Sequence, residues 1–371
     1  MGAPTVENAT LPALAQRKMS DKILIVAPNW IGDAVLCLPV VDGCARSWPE
    51  AELAVLARGR VADLFKARQS DARVLAYERG SGLGRLANLF TLGRRLRRED
   101  FKLAVLLPNS MSSAMTVWLA RIPERMGYAT DGRGWLLTQR LKDRRKERGL
   151  HQVDYYIGLL TNLGVARMDR IPKLQLKAKI ADKGQMLLGD LGIGKDEIII
   201  GVHPGAAYGE TKRWFPEGFA AVLERLHGSG RRILLLGGPG EEPLAEQICM
   251  RMEQPPVNLV GRTTITEALV VVKQCSLFLS NDSGLMHVAA ALNIPQVALF
   301  GSSDPQKTAP LNDRAVVIHP SQVRCTPCFK SSCPEDLECL KAITVDEVCG
   351  ATERLLNEIE FDVSAKKGQQ I

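Results

Sequence analysis

Three short stretches of this 371-residue chain hold the residue types that acid–base and phosphate chemistry require. The first is Asn29-Trp30-Ile31-Gly32-Asp33, where an apolar run gives way to a turn and then a helical pattern. An aspartate there reads in two ways, as a helix N-cap accepting backbone N–H bonds or as a general base at the carboxyl edge of a parallel sheet. Gly32 beside it would let a substrate approach the backbone. The second stretch runs Gly201-Val202-His203-Pro204-Gly205-Ala206-Ala207-Tyr208 and continues to Thr211-Lys212-Arg213-Trp214-Phe215-Pro216. Its small residues leave backbone N–H groups accessible, and Lys212 has the charge to neutralise a diphosphate as a bond to it breaks; the alternative is a surface lysine.

The third stretch, Asn281-Asp282-Ser283-Gly284-Leu285-Met286-His287, is a strand end, a polar turn and a helix start, which together make an anion site. Asp282 could accept from sugar hydroxyls, and Ser283 with Gly284 could donate to phosphate oxygens. His287 reads as an anion contact or as a satisfied core histidine. A lesser glycine-rich turn, Gly237-Gly238-Pro239-Gly240-Glu241-Glu242, offers carboxylates for ribose hydroxyls, which equally read as first-turn helix acids.

Positioning such residues takes a strand before each loop and a helix after it. Apolar runs at 22–27, 53–57, 73–77 and 103–108 read as buried strands, with helices at 34–46, 60–66 and 83–98. The alternation predicts a parallel sheet covered on both faces. The pattern lapses over 169–195, apart from a helix at 180–191. It resumes with strands at 198–203, 232–237, 277–280, 296–301 and 315–319 and helices at 216–226, 243–252 and 285–292. The prediction is therefore α/β with two Rossmann-like domains: an extension over 1–20, an N-terminal domain over 21–175, a linker over 176–197, a C-terminal domain over 198–345, and a terminal helix with a polar tail over 346–371.

Charge is divided unevenly between these halves. Residues 1–175 hold 28 Lys and Arg against 17 Asp and Glu, a net +11, within a total of +7. Arg94, Arg95, Arg97 and Arg98 form one basic run, and Lys142, Arg144, Arg145, Lys146 and Arg148 another. Each reads as a solvated face or as a site for nucleic acid, anionic lipid or a phosphorylated substrate. Aromatics do not interleave with the basic runs as stacking on bases would need, so nucleic acid is not expected as a partner. No stretch nears the roughly 18 apolar residues of a spanning helix, and the N-terminus lacks a signal-peptide core, so a soluble cytoplasmic protein is expected.

Two phosphate signatures fail on inspection. Gly189 to Asp196 approaches a P-loop, but Asp196 stands where a hydroxyl residue should hold magnesium, and a strand follows where a helix should. Gly80, Gly82 and Gly84 lack the spacing of a dinucleotide fingerprint, which disfavours a dehydrogenase.

The turn at Asn29 to Asp33, the His203-Pro204-Gly205 loop with Lys212-Arg213-Trp214, and the Asn281 to His287 loop together resemble the ADP-heptose:lipopolysaccharide heptosyltransferases of glycosyltransferase family 9, their type II branch above all. The resemblance extends from about Lys22 to Leu356. It implies a glycosyltransferase-B fold, two Rossmann-like domains facing each other across a cleft. It also implies a metal-independent inverting displacement in which Asp33 deprotonates the acceptor hydroxyl and Lys212 steadies the departing ADP. Asp282 would hold the heptose. The donor-binding set it implies is Gly32, Gly205, Ala206, Ala207, Tyr208, Gly238, Glu241, Thr263, Asp282, Ser283, Gly284 and His287. Ala206 and Ala207 depart from the hydroxyl residues of related chains, so backbone donors would have to serve there.

The implied partners are ADP-heptose, a phosphorylated Kdo-lipid A acceptor carrying heptose, and the cytoplasmic face of the inner membrane, toward which the +11 half would be attracted. Catalysis would need no cofactor. Cys325, Cys328, Cys333 and Cys339 lie in one Pro-containing loop, and three readings stand: a structural zinc, a disulfide, or unbridged thiols.

Overall fold

Among the described residues twelve strands form two six-stranded sheets, and every pairing in both is parallel. The computed structural model describes residues 22–78, 80, 84–165, 168–194, 197–228 and 230–368; the extension expected over 1–20 and Gly82 lie outside these. The first sheet comprises β1 (Ile23–Val26), β2 (Leu53–Arg58), β3 (Arg73–Tyr77), β4 (Leu103–Leu106), β5 (Glu124–Tyr128) and β6 (Gln139–Leu141). Its order is β3-β2-β1-β4-β5-β6. The second comprises β7 (Ile198–His203), β8 (Arg231–Leu235), β9 (Val257–Asn258), β10 (Leu277–Asn281), β11 (Gln296–Leu299) and β12 (Ala315–Ile318), in the order β12-β11-β10-β7-β8-β9. Each order runs outward from a central pair in opposite directions, the doubly wound arrangement of a nucleotide-binding fold. The central strands of the first sheet are apolar throughout, as a sheet covered on both faces demands, and β1 and β4 are buried at every position; β7 and β10 are apolar until they end in His203 and in Ser280 and Asn281.

The chain groups into two compact units. One holds the first sheet, with residues 36–62 and 70–170; the other holds the second sheet and everything from Ile171 onward. Two short pieces of earlier sequence, Trp30–Val35 and Asp63–Gln69, belong with the second unit. The latter is tied there by an antiparallel bridge between Arg68 and Leu176.

Several elements differ from expectation, each for a local reason. The single helix expected over 34–46 is two, Ile31–Leu36 and Leu38–Ser47, broken at Cys37. Pro39 has no N–H to continue the first helix and suits the first turn of the second. Asp33 consequently sits inside a first helical turn rather than capping it. The polar tail expected at the end of 346–371 is helical as far as Gly368, the end of a helix starting at Val345. Its Val348, Ala351, Leu355 and Leu356 join Phe219, Val222 and Leu299 in the second unit's core.

Candidate active site

In a doubly wound sheet, ligands bind outside the carboxyl ends of the two central strands, where the winding reverses. For the second sheet those strands are β7 and β10. β7 ends at His203 and β10 at Asn281, so the two most polar motifs of this half emerge side by side. Asn281 fastens them together. Its side-chain nitrogen donates to the Pro204 carbonyl at 2.6 Å, and its oxygen accepts from the Trp214 backbone N–H at 3.1 Å. A fully buried amide satisfied on both sides fixes the loop carrying Lys212 against β10.

Lys212 reaches from that loop to Asp282, with Nζ 2.5 Å from Oδ2. Asp282 is 5% exposed and Lys212 19%, so this pair is largely shielded from water. An ammonium has three donors; Asp282 takes one and orients the others. The Tyr208 ring lies 5.4 Å from the ammonium, and its hydroxyl donates to the Phe329 carbonyl at 2.8 Å. Next along the chain, Ser283 caps the helix Gly284–Ala291, its Oγ accepting from Met286 N–H. The first-turn N–H groups beyond it have no intrahelical partner, and with the helix dipole they favour an anion.

His203 and Glu241 buttress this helix start. His203 Nδ1 is 2.8 Å from Ser283 Oγ, and Nε2 is 3.2 Å from Glu241 Oε2. Because a carboxylate only accepts, Nε2 carries the proton. The same Glu241 oxygen accepts from Gly238 N–H at 2.7 Å. Burial works against ionisation of Glu241, but the hydrogen bond and charge of His203, the Gly238 N–H and Arg213 outweigh it, holding the carboxyl below its ordinary value. The stability this contributes is complete above the ordinary glutamate pKa of about 4.3 and is lost as pH falls through the lower folded value. Urea unfolding followed from about pH 5 down to about pH 2 is expected to show that loss, and Glu241→Gln is expected to flatten it.

Gly205 makes the close packing around Glu241 feasible. A Cβ at Gly205 would fall 1.9 Å from Oε1 of Glu241, and one at Gly237 would fall 2.8 Å from Oε2. Gly205→Ala is therefore expected to push the carboxylate off His203 and Gly238 and to cost about 1–3 kcal/mol in a denaturation measurement.

The segment Trp30–Val35, grouped with this unit, brings Asp33 to the same helix start. Gly32 packs on His287 so closely that a Cβ would lie 2.8 Å from the ring, and a Cβ on Gly284 would meet Ile31 at 3.2 Å. His287 is itself buried. Ile31 and Gly32 thus pack against Gly284 and His287, which sets the backbone next to Asp33 beside the helix start that follows Asp282 and Ser283, and Lys212 is joined to that start through Asp282.

Other expected positions are engaged differently. Ala206 is buried and its carbonyl accepts from the Arg213 guanidinium at 2.8 and 3.0 Å, while Ala207 and Tyr208 are exposed. The Gly238 N–H is occupied by Glu241. Thr263 lies in the turn before the capping box that starts the helix Ile265–Gln274. Among the described residues no group of three or more His, Cys, Asp or Glu side chains is arranged to hold a metal ion. Cys325, Cys328, Cys333 and Cys339 are free thiols there, so neither a zinc ligand set nor a disulfide is assembled. His203 and Asn281 lie in the loops singled out from the sequence without a role of their own there, and the structure shows both holding the site together.

The carboxyl edge of the first sheet holds a cavity of about 360 Å³. Val26, Leu56 and Met111 form its apolar wall, with Asn29, Arg58, Tyr77 and Glu78 as polar groups. Buried Arg133 shapes the adjoining loop, donating to the carbonyls of Tyr128 and Pro108 and to Asn109 Oδ1.

Two doubly wound parallel sheets, with a helix start suited to an anion at the switch point of the second, are the architecture of the glycosyltransferase-B fold. The solved structure of the Escherichia coli ADP-heptose lipopolysaccharide heptosyltransferase II has this fold, with a TM-score of 0.78 and 27% identity across 91% of this chain and 99% of that one. The chain belongs to glycosyltransferase family 9, the heptosyltransferases, whose family model matches residues 89–338. It is 31% identical over 306 residues to lipooligosaccharide heptosyltransferase 2 of Haemophilus influenzae, covering 80% of this chain and 88% of that protein. With lipopolysaccharide heptosyltransferase 2 of Escherichia coli the identity is 31% over 307 residues, 80% of this chain and 87% of the other.

Proposed function

We propose that the protein is a heptosyltransferase of type II, which transfers heptose from ADP-L-glycero-β-D-manno-heptose to the heptosyl-Kdo2-lipid A inner core at the cytoplasmic face of the inner membrane. The observation that carries this reading is the shielded Lys212–Asp282 pair at the start of the helix Gly284–Ala291, with Asp33 beside the same helix start. It is supported by the type 2 names of the relatives that match most of the chain.

In this reading the donor diphosphate lies against the helix start and the heptose against Asp282. Asp33 takes the proton of the acceptor hydroxyl, and that oxygen attacks the anomeric carbon from the face opposite the diphosphate. As the bond from carbon to phosphate oxygen breaks, the electron pair leaves with ADP, where Lys212 and the helix N–H groups meet the growing charge. Those groups are fixed beforehand, so little reorganisation accompanies the step. The displacement inverts the anomeric centre and draws its electrostatic stabilisation from these residues rather than from a metal ion. The cavity of the first unit takes the saccharide of the acceptor, with Arg58 facing its negative charge.

ADP release, followed with heptosyl-Kdo2-lipid A and separately with Kdo2-lipid A, tests the assignment. Turnover with the heptosylated acceptor and little with the other is the expected result; the reverse preference would make the enzyme type I.

A further inference from the structure

The helix Gly84–Arg97 has one side that packs inward and another that serves no fold. Leu92, Gly93 and Leu96 face the interior of the first unit, with Gly93 so near Leu119 that a Cβ would come to 2.8 Å. Leu86, Phe90, Arg94 and Arg97 follow at steps of four, four and three residues, which aligns them as one stripe along the helix. Leu86 and Phe90 are 59% and 55% exposed. Arg94, Arg97 and the adjacent Arg98 are exposed and form no ion pair among the described residues. The second basic run differs, since Arg145 pairs with Asp143 and Lys142 with Glu147. The helix Met111–Leu119, packed on the first at Gly93, adds Trp118 at 45% exposure, in edge contact with Trp135 at 62% and 6.2 Å.

Large apolar groups exposed beside uncompensated arginines mark an interaction surface, and Leu, Phe and Trp with Arg is the composition of helices that lie in a membrane interface. Leu86 also lines the cavity, so whatever covers the stripe adjoins that cavity. We infer that the stripe of the helix Gly84–Arg97, with Trp118 and Trp135, docks on an anionic phospholipid surface. Phe90 and the indoles enter the acyl boundary, and Arg94, Arg97 and Arg98 meet headgroup phosphates. The inference rests on the reading of the cavity as the acceptor's, because a lipid-anchored saccharide would then enter from the docked face.

Sedimentation of the full-length protein with acceptor-free vesicles tests it, comparing phosphatidylcholine alone with phosphatidylcholine and phosphatidylglycerol. The wild type is expected to pellet with the anionic vesicles and to be released by salt. Phe90→Ser with Trp135→Ser, and separately Arg94→Ser with Arg97→Ser and Arg98→Ser, are expected to weaken pelleting on the order of tenfold. Both variants should keep wild-type turnover of a deacylated, water-soluble acceptor. A wild type that stays in the supernatant, variants that pellet as the wild type does, or variants that lose soluble turnover in step with pelleting would each overturn the docking surface. A wild type that pellets as described yet turns over no soluble acceptor would leave the docking surface standing and remove the transferase reading instead.

Discussion

Asp33→Ala is expected to lower kcat by roughly 10²–10⁴-fold, the range lost with a general base, while ADP-heptose binding measured by calorimetry stays near its wild-type strength. The separation follows from position. Asp33 is in the first turn of the helix Ile31–Leu36, beside the helix start at Gly284, but the donor's proposed contacts come from Lys212, Asp282 and that second helix. Asp33→Asn keeps the size of the side chain and removes its proton affinity, so it should be as slow as alanine. An asparagine variant with the wild-type rate would end the assignment of Asp33 as the base.

Lys212→Ala is expected to lower kcat/KM by roughly 10²–10³-fold, the scale of losing one preorganised donor to a developing anion. It should also destabilise the fold by about 3–5 kcal/mol, because Asp282 would remain buried without its counter-ion. Combining Lys212→Ala with Asp282→Asn separates the two effects. The double variant should recover most of the stability in urea unfolding and none of the rate. Recovery of the rate along with the stability would reduce Lys212 to a structural role.

What could be read from the chain before its structure was the part written locally. The apolar runs of β1, β2, β4, β7, β10 and β11 are continuous because central parallel strands are buried on both faces, and the turn residues after them mark where ligands bind. β5 and β6 carry Glu124, Arg125, Gln139 and Arg140, so no apolar run announces them; pairing with a neighbouring strand makes them strands. The two-residue β9 is shorter than any periodicity. Within the site, Asp33, Lys212 and Asp282 stand out by type and setting. Their relations do not, since Lys212 and Asp282 are 70 residues apart and His203 and Ser283 are 80. Asn281 resembles any polar strand end until its amide is seen bonding to Pro204 and Trp214. The grouping of Trp30–Val35 with the second unit likewise depends on glycine contacts over 250 residues away in sequence, between Gly32 and Gly284.

The central claim is inverting heptosyl transfer to a heptosylated lipid A core, and the anomeric configuration of the product tests it most directly. Incubation with β-configured ADP-heptose and heptosyl-Kdo2-lipid A, followed by NMR of the isolated glycolipid, should show one added heptose in α linkage. An unchanged acceptor, or an added heptose in β linkage, would contradict it.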